Sequence, residues 1–106
     1  MGKNSTKLVY VKEHWWGTDH VIANCDQELL GKTLVERNIR FFIDPNFYEG
    51  KLMPVSEAVK LIHNYSIANL VGKNIVEAAI NEGLIDPEAV IEINGVPHAQ
   101  IVKIFK

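Results

Sequence analysis

The chain has a single cysteine, Cys25, so it has neither an internal disulfide nor a cysteine-built zinc site. That is what a reducing cytoplasm permits, and a cytoplasmic location is the expectation. No apolar run approaches the ~18 residues of a membrane span, and the first residues lack the apolar core of a secretory signal. No membrane association is expected. There is also no strong excess of one charge: eleven Lys and Arg against thirteen Asp and Glu leave −2, which argues against a protein that coats nucleic acid. No motif specific to DNA is present. His14, His20, His63 and His98 form no i, i+4 pair, so neither a metal site nor a cofactor is expected.

With 47% apolar residues over 106 positions, the chain is long enough for one core and too short for a second. Residues 1–6 are small and polar and read as a disordered tail, leaving residues 7–106 as a single domain. That domain reads as a series of strands, then helices, then strands. Lys7 to Trp15 and His20 to Cys25 are β-rich runs around a Gly17-Thr18-Asp19 turn, which predicts a first hairpin. Trp15 and Trp16 are adjacent on this strand and point to opposite faces, so at most one indole can enter the core. A cap on the core edge is the commoner role for the other indole, and a stacking or partner surface is the alternative.

Asp26 to Gly31 reads as one helical turn, with Asp26 as its cap and Gly31 at its left-handed stop. Leu34 to Ile43 reads as one strand, bent, ended by Asp44-Pro45, and Phe47 to Gly50 as a loop whose aromatics fold back on the core. From Pro54, residues Val55, Ala58, Val59, Ile62 and Tyr65 recur at the spacing of one helical face. Ile67 to Val71 reads as a separate helical turn. Gly72 to Glu82 is the second full helix, with Ile75, Ala78 and Ala79 inward and Gly83 at the stop. Asn94-Gly95 between Val90-Ile-Glu-Ile and Val96 to Phe105 is the strongest turn signal, because a two-residue primed turn needs positive φ at both positions. Both faces of the last strand carry apolar groups, placing it inside the sheet, with Pro97 at its start or at an unpaired position. The expected fold is α+β: an antiparallel sheet of four to five strands with hairpins at both ends and two main helices on one face.

The chemistry is sparser. Gly31-Lys32-Thr33 resembles the end of a phosphate loop, but the earlier glycine position holds Asp26, whose charge would repel phosphate. Gly72-Lys73-Asn74 opens a helix whose free N–H groups could hold an anion, with Asn69 as an added donor; the plainer role for Gly72 is close helix–sheet approach, with Lys73 solvated. His98 follows a Gly-Val-Pro corner and shares a strand face with Gln100, yet no nucleophile or carboxylate is tied to it. Cys25 beside Asp26 is a poor nucleophile. No residue is assigned a catalytic role.

Ile22-Ala-Asn-Cys-Asp-Gln-Glu-Leu-Leu-Gly-Lys-Thr33, Phe47-Tyr-Glu-Gly50, Ala68-Asn-Leu-Val-Gly72 and above all Gly95-Val-Pro-His-Ala-Gln100 together resemble the archaeal domain-of-unknown-function family 424. The resemblance runs from about Val9 to Val102. It implies a small α+β cytoplasmic protein of archaeal type and names no reaction.

Three functions fit these residues. The first is a non-enzymatic module that binds RNA or a ribonucleoprotein along an edge carrying Lys7, Lys12, Lys103 and Lys106, with Trp15 or Trp16 and His98 for stacking. It requires the two terminal strands to lie side by side. The second is a small-ligand protein or enzyme with a pocket gathering Asp26, Lys32, Asn69, Gly72 and His98; Lys73 and Gln100 are further candidate contacts for a ligand or partner. The third is a protein–protein adaptor using the exposed indole and the acidic stretch from Glu77 to Glu92.

Overall fold

The first hairpin sets the sheet. Strand β1 (Leu8–Trp16) pairs antiparallel with β2 (Asp19–Asp26) through a two-residue turn in which Gly17 has φ +64, so Trp15 lies opposite His20 and His14 opposite Val21. The computed structural model describes residues 7–103. Their eight strands form a six-stranded sheet, ordered β5-β1-β2-β6-β8-β7, and a separate two-stranded ribbon, β3-β4. The α+β class and the terminal hairpins are as expected. Asn94 and Gly95 (φ +52 and +81) make the turn between β7 (Ile91–Ile93) and β8 (Val96–Val102).

Three expectations are corrected. Ile67 to Val71 is no helical turn but strand β6, parallel to β2 and antiparallel to β8. A strand covered on both faces is largely apolar, and five residues with only Asn69 polar carry no period to separate strand from helix. Leu34 to Ile43 is two strands, β3 (Thr33–Glu36) and β4 (Ile39–Phe42), turned at Arg37 with φ +55. The expected loop is also replaced: Phe47 and Tyr48 belong to a short helix, α1 (Pro45–Tyr48), capped by the Asp44 carboxylate, and Lys51–Pro54 after it forms edge strand β5.

The two faces of the main sheet are covered differently. Helices α2 (Val55–Leu61) and α3 (Lys73–Asn81) pack on one side against Val9, Val11, Ile22, Ala68, Leu70 and Ile101. Inward Ala58, Val59, Ile62, Ile75 and Ala79 carry that contact, as their spacing predicts. Each large apolar side chain buried there contributes roughly 1.5–3 kcal/mol. On the other side, the ribbon and α1 pack Leu34, Ile43 and Tyr48 against Ala23, Cys25, Val71 and Ile93.

Candidate functional site

Asp26 ends β2 and Gly72 directly follows β6, both at the carboxyl ends of the parallel pair. Asp26 does not cap its own turn. Its carboxylate instead accepts from the backbone N–H groups of Asn74 (2.8 Å) and Ile75 (3.1 Å), the first free donors of α3. A protein carboxylate therefore already occupies the anion position of this helix. Burial pushes the Asp26 pKa up to about 6, against the two N–H bonds that lower it. Gly72 has φ +120, and a β-carbon there would overlap the Asp26 carboxyl group, so the close-approach role is the one observed.

A second group of polar residues lies on the opposite sheet face. Cross-strand pairing sets Asn69 beside Gln100 and Val71 beside His98. The Tyr48 hydroxyl donates to Asn69 Oδ1 at 2.6 Å. His98 Nδ1 lies 2.9 Å from the Leu70 carbonyl, which can only accept, so Nδ1 carries the proton and Nε2 of the neutral ring is an acceptor. Burial holds the His98 pKa below the usual histidine range, partly offset by that carbonyl bond. The Phe41 ring leans on the imidazole at 5.0 Å. Beside them lies a cleft of about 230 Å³ lined by Ala89, Ile91, His98, Ala99 and Gln100.

The candidate pocket and contact residues thus divide. Asn69, His98 and Gln100 meet on one face, whereas Asp26 and Gly72 are locked together under α3. Lys32 and Lys73 are exposed and pair with no carboxylate among the described residues, where the ion pairs are His20–Glu13 and His63–Glu82. Among those residues no group of three or more His, Cys, Asp and Glu could hold a metal ion. Burial raises the Cys25 thiol pKa to about 12, leaving it inert at neutral pH.

The lysine edge does not exist as expected. Strands β2 and β6 separate β1 from β8, putting those two strands about three spacings apart, roughly 14 Å, with Lys103 further displaced along the strand direction from Lys12. Lys12 Nζ donates to the Asn46 carbonyl, and Lys103 Nζ donates to the Ile62 and His63 carbonyls at the end of α2. Lys7 is exposed at the start of β1, and Lys106 lies outside the described residues. Neither indole enters the core: Trp15 is 64% exposed and stacks on His20 at 4.1 Å, and Trp16 is 50% exposed and stacks on Phe47 at 5.9 Å. Glu13 holds His20 from behind at 2.9 Å, and this bond lowers its own pKa.

The ribbon carries what sequence reading missed. Both arginines of the chain, Arg37 and Arg40, are on it, and Lys32 to Ile43 holds three cations and one carboxylate. That carboxylate, Glu36, accepts from the Asn94 N–H. Pairing places Arg40 opposite Val35 and Phe42 opposite Thr33 on one outward face, where Phe42 is 49% exposed. Recognising Arg37-Asn38 as a turn is the sequence signal that would have exposed this face.

The sequence profile of the protein of unknown function family DUF424 matches residues 17–104. The chain belongs to this family. A crystal structure of an uncharacterized conserved protein from Methanopyrus kandleri shares the fold at TM-score 0.79 and 29% identity, covering 93% of this chain and 96% of that one. No curated protein matches. The DUF424 match takes in β2, the ribbon, β6 and β8, and so every residue of the Asp26–Gly72 contact and of the His98 face. Among the described residues, no helix is long and apolar enough to cross a membrane.

Proposed function

We propose that this DUF424 chain is a non-enzymatic binding module for RNA or a ribonucleoprotein partner, and that its contact surface is the β3-β4 ribbon. The observation that carries the reading is the outward face of the ribbon, where Arg40, Val35 and Phe42 lie together, with Arg37 at the turn and Lys32 at the base. Arginine forks suit phosphate, and an exposed phenyl ring accepts a stacked base. Three cations with one carboxylate fall on this short segment, so a chain of net charge −2 can still present a local positive surface there. Trp16, stacked on Phe47, adds an exposed indole on the same side of the sheet, at the far end of β1.

The test is purification of the tagged protein from native cells at low salt, with the eluate divided between RNase-treated and untreated halves. RNA or ribosomal proteins should co-purify and leave on RNase treatment, and the double substitution Arg37→Glu, Arg40→Glu should release them without changing the thermal midpoint. For a single-stranded RNA probe, each lost arginine–phosphate contact should reduce the slope of log affinity against log salt by about 0.7. Undiminished retention of the double variant would overturn the ribbon as contact surface. A partner that survives RNase treatment would point to a protein adaptor instead.

A further inference from the structure

We propose, resting on the RNA reading above, that the cleft at the open edge of β8 is a slot for one unpaired nucleobase, held by His98 Nε2 and by the backbone N–H and C=O of Gln100. Strand parity decides which backbone groups of β8 face the cleft. Pro97 O accepts from Gly72 N, and Lys103 N donates to Ser66 O, so the odd-numbered residues of β8 turn their backbone groups toward β6. The even-numbered residues turn theirs the other way. Val96 and His98 find β7 there, opposite Ile93 and Ile91. Because β7 begins at Ile91, Gln100 has no strand opposite it on that side among the described residues. Ala89, which a longer β7 would place there, belongs instead to the turn Pro87–Ala89, its N–H given to Asp86 O.

The result is an adjacent donor and acceptor on one residue, facing a cleft of about 230 Å³. That space is smaller than the ~300–1,000 Å³ of sites for larger ligands, and it suits a single planar heterocycle. Ala89, Ile91 and Ala99 supply apolar walls for the flat faces of a ring, and Ile91 is 54% exposed there. His98 adds a third, fixed acceptor, because the Leu70 carbonyl sets its tautomer and Phe41 leans on the ring. Nucleobase edges carry N–H donors next to acceptors, the complement of this set, and unpaired RNA bases are read along those edges. The ribbon that supplies Phe41 also carries Arg37 and Arg40, which would hold the phosphates of the same strand.

The experiment is amide and imidazole NMR shift mapping of the full chain, titrated with the four nucleoside 5′-monophosphates and with ribose 5-phosphate as a control lacking a base. At least one nucleotide should shift the Gln100 amide and the His98 ring nitrogens, and ribose 5-phosphate should not. His98→Ala should weaken that nucleotide at least tenfold. Ala89→Trp, which fills the cleft from an exposed position, should abolish the shifts at an unchanged thermal midpoint. Equal shifts with ribose 5-phosphate, or undiminished binding by Ala89→Trp, would overturn the slot. Loss of RNA by the double arginine variant, with no nucleotide shift at Gln100, would overturn the slot while leaving the ribbon reading in place. Shifts at Gln100 and Val102 with an unstructured peptide but with no nucleotide would show the edge to be a strand-addition site instead.

Discussion

A β-carbon on Gly72 would stand 2.6 Å from Oδ2 of Asp26, so these two residues, 46 positions apart, share one volume at the carboxyl ends of β2 and β6. Gly72→Ala should destabilise the fold by about 3 kcal/mol, combining left-handed strain at φ +120 with displacement of the carboxylate from α3. Asp26→Ala removes the obstructing group. In a denaturant double-mutant cycle the two costs should therefore fall short of additivity by roughly 1 kcal/mol or more. Strict additivity would mean that the contact does not limit position 72.

Asp26 also makes stability depend on pH. Its folded pKa of about 6 lies above the ordinary aspartate value of 3.8, so the folded state binds the extra proton. The resulting stabilisation is fully present below the unfolded pKa and is lost as pH rises through the folded one, between about 4 and 6, with a size on the order of 3 kcal/mol. Asp26→Asn should flatten urea-derived stability across that window. An unchanged profile in the variant would assign the dependence to other groups.

Tyr48 is buried and its hydroxyl bonds Asn69 Oδ1 at 2.6 Å. Tyr48→Phe keeps the ring against Cys25 and Val71 but deprives the amide of its donor, which should cost about 1–2 kcal/mol in chemical denaturation. A neutral substitution would mean that solvent replaces the hydroxyl.

Asn24 is fully buried on the helix-covered face, between Val11 of β1 and Leu70 of β6, and neither atom of its amide has a protein partner. Desolvation without hydrogen bonds is unfavourable, so Asn24→Leu, which keeps the branched four-heavy-atom side chain, should stabilise the fold by about 1–3 kcal/mol. Destabilisation would show that the amide makes an interaction in solution.

Trp15 and Trp16 stand outside the core, so native indole emission should resemble that of the unfolded chain and be quenched by acrylamide almost as efficiently. Trp15→Ala should change stability by less than about 1 kcal/mol. A blue-shifted, protected native spectrum would place an indole in a covered position.

The sequence by itself determined the elements whose signals are local. Asn94-Gly95 declares its turn because few residues tolerate positive φ, and Ala58, Val59, Ile62, Ile75 and Ala79 declare their faces because a helix repeats every 3.6 residues. The pairing of His98 with Gln100 on one face follows from strand alternation in the same way. Long-range relationships had no such signature. Ile67 to Val71 became a strand parallel to β2 because β2 and β8 flank it and the two layers cover its faces, none of which four apolar residues and one asparagine can announce. Arg37 broke a β-rich run through a left-handed conformation that its residue type does not advertise. Asp26 capped a helix 48 residues away rather than its own turn, and two intervening strands parted Lys12 from Lys103. The arrangement of the candidate site, with Asp26 held under α3 and His98 beside the arginine ribbon, was decided by sheet order, which hydrogen-bond pairing and burial of both sheet faces set together.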